Sequence, residues 1–172
     1  MSLLYGDNFE NQTSLEGKSF AFSSLFKGCE KVIDAKNLSL PATTLANSCY
    51  NSMFQNCTNL TTAPELPATT LADYCYQFMF YGCTSLTTAP SSVGNSSTTM
   101  SYKSCIYMFK DCTNLIKIPE LPATTLGEEC YSGMFQNCTS LIKSQNILPA
   151  TTLAYHCYEN MYKSCINLIK TP

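Results

Sequence analysis

The sequence predicts an α/β solenoid, a stack of short units with brief parallel strands on one side and short helices on the other. Three observations carry that expectation. The string Met-Phe-x-x-Cys-x-x-Leu recurs at Met53, Met79, Met108 and Met134, with softer copies at 25–32 and 161–168. A second string, Leu-Pro-Ala-Thr-Thr-Leu, begins at Leu40, Leu66, Leu121 and Leu148. The distances between Cys57, Cys83, Cys112, Cys138 and Cys165 are 26, 29, 26 and 27 residues. Repeats of this length bury their apolar faces only against neighbouring copies, so they form arrays.

The helix is expected at 72–82 and its counterparts. Leu71, Cys75, Met79 and Cys83 are spaced by four and Tyr76 precedes Phe80 by four, which reads as an apolar stripe at helical spacing. Thr69 or Thr70 stands at the N-cap and Gly82 near the C-terminal end. The strand follows. Leu60-Thr61-Thr62-Ala63-Pro64 and Leu115-Ile116-Lys117-Ile118-Pro119 are short, mostly apolar or β-branched, and closed by a proline that cannot donate to a continuing ladder. The long spacing comes from 91–97, where extra Ser, Gly and Asn residues read as a bulged loop. Residues 1–20 form an N-terminal segment or partial cap, and 21–172 an array of about five to six units. Because the chain stops inside a strand, the array is expected to be cut short at its C-terminal side.

These units resemble the BspA-like (Treponema pallidum type) leucine-rich repeats, whose core is Phe-x-x-Cys-x-x-Leu between short strands. The resemblance covers roughly Leu25 to Pro172. It implies a right-handed β/α superhelix, a bacterial cell-surface or secreted setting, and adhesion to proteins or matrix.

Composition narrows the function classes. Net charge is -2 and charged residues make up 13%, so there is no basic surface of the kind that holds nucleic acid. No run of about 18 apolar residues exists to span a membrane, and the first residues lack the pattern of a secretory signal. Eleven cysteines suggest a disulfide scaffold at first count. Yet the number is odd, and Ser104 replaces a cysteine in one unit while Cys105 stands in a tyrosine slot. Helical pairs eight residues apart would also stand about 12 Å apart, too far to bridge. Buried reduced thiols are the favoured reading, with bridges between adjacent units left open. Zinc is disfavoured, because no Cys-x-x-Cys occurs and His156 is the single histidine. No cofactor or metal is expected, and no enzyme, since no acid–base pair recurs or clusters.

Two surfaces remain as candidates for contact with a protein, matrix or glycan partner. Tyr74, Phe78 and Tyr81 fall on the outward face of the second unit, with Tyr102 and Tyr107 in the third. They read either as a recognition patch or as rings packing on one another between units. Lys117, Lys143 and Lys170 recur at one slot, which earlier units fill with Thr62 and Thr88. That lysine column either meets an anion or stays solvated and discourages edge aggregation. The leading expectation is a non-enzymatic binding solenoid from a surface adhesin. The alternative is a spacer whose binding function lies elsewhere.

Overall fold

The structure is a computed structural model and describes residues 11–145 and 147–169. It corrects the expected α/β architecture: among the described residues there is no α-helix, and pairing is confined to isolated bridges, with no sheet. The right-handed β/α superhelix with helices along one side is therefore not what this sequence builds. Neighbouring copies are instead held together by chains of turns.

The supposed helices are ribbons of consecutive turns, at 18–29, 46–57, 72–83, 101–112, 127–138 and 154–165. In the second ribbon the amides of Cys49, Asn51, Met53, Gln55 and Cys57 each donate to the carbonyl three residues back. The amides between them, at Ser48, Tyr50, Ser52, Phe54 and Asn56, donate outward to Asp73, Cys75, Gln77, Met79 and Tyr81 of the next ribbon. Alternate amides thus close turns and join neighbours, so the backbone groups of a buried ribbon find partners without a helix or sheet. Left-handed residues recur every fourth position: Ser48 (φ 55), Ser52 (φ 56) and Asn56 (φ 59). This places a left-handed residue third in the turns at 46–49 and 50–53, as a type II turn requires.

The same period of four explains the apolar stripe. Cys49 and Tyr50, then Met53 and Phe54, then Cys57 are buried, while Asn51, Gln55 and Asn56 between them are partly or fully exposed. An α-helix turns about 100° per residue, so a strict spacing of four drifts about 40° per step. In a ribbon whose conformation repeats every four residues, the stripe stays on one side.

Successive ribbons align their side chains. Phe26, Phe54, Phe80, Phe109, Phe135 and Tyr162 form one column, with neighbouring ring centroids 5.2–5.7 Å apart and planes within 21° of parallel. A parallel column joins Phe22, Tyr50 and Tyr76, and resumes at Tyr131 and Tyr158. Cys105, fully buried at the tyrosine slot, interrupts it. Centroid separations of this size suit offset stacking.

The expected strands shrink to single parallel bridges. Asp34, Thr62, Thr88 and Lys117 pair in succession, as do Ser14, Thr44 and Thr70, and then Thr99, Thr125 and Thr152. The extra residues at 91–97 bulge after Val93, which is buried. There the Asn95 carbonyl and side chain accept from Thr98 and Ser97, and Gly94 (φ 75) supplies the left-handed bend.

All eleven cysteines are free thiols, ten buried and Cys29 exposed. The last cysteine of each ribbon from the second onward has a specific partner. Cys57, Cys83, Cys112, Cys138 and Cys165 donate to the carbonyls of Phe26, Phe54, Phe80, Phe109 and Phe135, at 2.9–3.2 Å. Each of these carbonyls also accepts the amide three residues ahead, so the thiol uses its second lone pair. Burial raises the thiol pKa of Cys49 and of Cys130 from the ordinary 9.0 to about 12. Cys75, Cys83 and Cys138 are pushed higher still by the same desolvation.

Candidate binding surface

The expected aromatic residues come together where the third ribbon lies against the fourth. Tyr74 (φ 58) and Lys103 (φ 50) occupy one left-handed slot in successive units, and Phe78 (φ 54) and Tyr107 (φ 55) occupy the next. Phe78 stacks on Tyr107 at 5.6 Å and 11°, while Tyr81 meets Phe78 edge-on at 5.8 Å. Tyr74 meets Tyr102 edge-on at 5.3 Å. The mutual packing anticipated for Phe78 and Tyr107 is thus present, and it leaves these rings neither buried nor fully exposed.

Two lysines complete the patch. Lys103 lies 4.9 Å from the Tyr102 ring centroid and pairs with Glu129 at 3.2 Å. Lys110 lies 5.0 Å from the centroid of Tyr107 and 5.8 Å from that of Tyr81. Hydrogen bonding to Tyr102 and then to Glu129 holds the Lys103 ammonium above its usual range. Desolvation, followed by hydrogen bonding to Tyr102, raises the Tyr74 hydroxyl. Desolvation and Asp111 do the same for Tyr81.

The backbone beneath the patch is strained. Left-handed φ costs about 1–2 kcal/mol for a residue with a Cβ, and Tyr74, Phe78, Lys103, Tyr107 and Glu129 all adopt it. In the next unit the slot of Phe78 and Tyr107 is filled by Gly133 (φ 57), where a Cβ would run into the Tyr107 ring. The glycine therefore makes room for the aromatic side chain above it.

The lysine column behaves differently. Lys117 bridges to Thr88, and neither Lys117 nor Lys143 forms an ion pair among the described residues. Together with Ile116, Ile118, Glu120 and Ile142 they line an open cleft of about 670 Å³. Ile116 is 58% exposed and Ile142 48%, so the cleft has apolar walls beside cationic tips. Lys170 lies outside the described residues.

The sequence reading missed Lys103, Lys110, Glu129 and Gly133. Lys103 shares a slot with Tyr74 and Lys110 shares one with Tyr81, so aligning the units would have placed both lysines beside the rings. His156 pairs with Glu159 at 3.1 Å. Among the described residues no group of three His, Cys, Asp or Glu side chains is placed to hold a metal ion. Nor, among those residues, is any helix long and apolar enough to cross a membrane. Compared with protein-family models, curated proteins and solved structures, the chain gives no match in any of the three.

Proposed function

We propose that this chain is a non-enzymatic binding module that contacts a protein or glycan partner through the patch of Tyr74, Phe78, Tyr81, Tyr102 and Tyr107, with Lys103 and Lys110. The single observation that carries the reading is the concentration of aromatic rings and cations across two adjacent units. Pre-positioned rings offer large contact area at low entropic cost, which suits a flat macromolecular partner. The recurring Phe-x-x-Cys-x-x-Leu text supports a cell-surface or secreted adhesin setting by its resemblance to BspA-like repeats. The buried thiols of Cys49 and Cys130 give no support to catalysis, because burial keeps them protonated.

The test replaces Tyr74, Phe78 and Tyr107 by serine and measures binding to extracellular-matrix proteins and to a glycan array. Loss of at least tenfold in affinity, about 1.4 kcal/mol, with folding retained supports the module. A second reading, a structural spacer, is favoured by the Phe78–Tyr107 stack, which spends ring faces inside the molecule. Unchanged binding by a stable triple variant selects that reading.

A further inference from the structure

One slot of the repeat changes character half-way along the array. The first unit fills it with Ile33-Asp34, and the next two with Thr61-Thr62 and Thr87-Thr88. The following two units carry Ile116-Lys117 and Ile142-Lys143. Packing does not require the change, because Thr62 and Thr88 form parallel bridges just as Lys117 does. Ile116 and Ile142 are exposed although both lie inside the array. Ile116 stands between Thr87 and Ile142, and the Ile142 carbonyl accepts the amide of Ile169 in the next unit at 3.0 Å.

The junction that holds these residues is also built differently. The line of bridges through Asp34, Thr62, Thr88 and Lys117 does not continue to Lys143 among the described residues. The segment from Lys143 to Leu148 is one residue longer than that from Lys117 to Leu121. Within it the Gln145 side chain accepts the Leu121 amide at 2.9 Å and donates to the Ile147 carbonyl at 2.7 Å, so a side chain takes the place of a backbone link. The cleft of about 670 Å³ opens at this junction. Small-ligand sites span about 300–1,000 Å³.

The lining selects the chemistry of the ligand. Ile116, Ile118, Pro119 and Ile142 give it aliphatic walls, and no aromatic residue is among those that line it. Nothing there stacks on a sugar or a planar ring. Lys117 and Lys143 occupy equivalent slots of adjacent units, and neither they nor Glu120 form an ion pair among the described residues. Two neighbouring ammonium groups repel, and one anion between them relieves both. With Glu120 as the only carboxylate in the lining, the cleft keeps an excess of positive charge. We infer that it binds the anion of a single-chain fatty acid, the carboxylate against Lys117 and Lys143 and the alkyl chain against Ile116, Ile118 and Ile142. The site shares no residue with the aromatic patch and does not depend on it.

The test is calorimetric titration of the 172-residue chain with octanoate, decanoate and dodecanoate below their micelle concentrations, and with 1-decanol. The wild type is expected to bind one carboxylate, with affinity rising up to about fourfold for each added methylene that is buried. Decanoate is expected to bind at least tenfold more tightly than the uncharged alcohol. The repeat itself supplies variants that suit the fold. Ile116→Thr with Ile142→Thr, and Lys117→Thr with Lys143→Thr, install the residues that the second and third units carry in the same slots. The isoleucine pair should flatten the dependence on chain length, and the lysine pair should abolish the preference for decanoate over decanol. No binding by the wild type overturns the inference, as does equal binding of acid and alcohol. Binding unchanged in both folded pair variants overturns it by placing the ligand elsewhere. Capture by phosphatidylglycerol vesicles without any binding of the monomeric acids also overturns it, and assigns this face to a membrane surface.

Discussion

Gly133→Ala isolates the link between backbone strain and the aromatic patch. Two effects combine. At φ 57 the added methyl carries the left-handed penalty of about 1–2 kcal/mol, reduced by about 0.4–1 because alanine is the less flexible residue when unfolded. The methyl also runs into the Tyr107 ring, which must leave its stack on Phe78 at 5.6 Å. A stacked pair contributes about 0.5–1.5 kcal/mol beyond its buried area. The expected total is about 0.5–3 kcal/mol, measured by urea denaturation. Repeating the substitution in a Tyr107→Ser background removes the collision and leaves only the backbone part, so the cycle should show a coupling of about 0.5–1.5 kcal/mol. Equal costs in the two backgrounds would refute the idea that the ring lies over this glycine.

Two further outcomes follow from the ring and thiol columns. Phe80→Ala removes a fully buried ring stacked on both Phe54 and Phe109, and should cost about 3–5 kcal/mol by chemical denaturation, whereas Phe20→Ala, at an exposed ring, should cost little. The pH dependence has a definite sign. Cys49 and Cys130 titrate near 9.0 when unfolded and near 12 when folded, so their contribution is intact below about pH 9 and is lost as pH rises towards 12. Hydrodynamic radius followed through that window should expand cooperatively, and Cys49→Ser with Cys130→Ser should make the expansion less steep; an unchanged profile would mean that these thiols do not drive it.

The residues that fill the interior are legible, because Met53, Phe54, Cys57 and Leu60 and their equivalents in the copies at Met79, Met108 and Met134 recur with fixed offsets and are all fully buried. The local backbone is not. A spacing of four suggests a helix, although over Leu71, Cys75, Met79 and Cys83 a helical stripe drifts by about 120°. The sequence carries a second signal. Gly28, Asn56, Gly82, Asp111 and Asn137 share the slot just before the recurring cysteine, and Gly, Asn and Asp are the residues that tolerate left-handed φ. Gly82, which suits a helix end by itself, belongs to that series. The slot of Tyr74, Lys103 and Glu129 is not legible this way. These three residues oppose the conformation by local preference, and bonding between adjacent ribbons overrides it. At the surface, Tyr74, Phe78, Tyr81, Tyr102 and Tyr107 were found by their positions. The cations among them were not, because their partners lie in neighbouring units.

Because the linking amides run from each ribbon to the next, a pull applied to the two chain ends along the stacking direction loads the five bonds of one junction together and the five junctions one after another. Rupture at a junction then frees roughly one repeat of chain, some 90 Å when extended, before the next is stressed. Mechanical failure would proceed as a sawtooth of separate yielding events, each dissipating work, and not as one abrupt collapse.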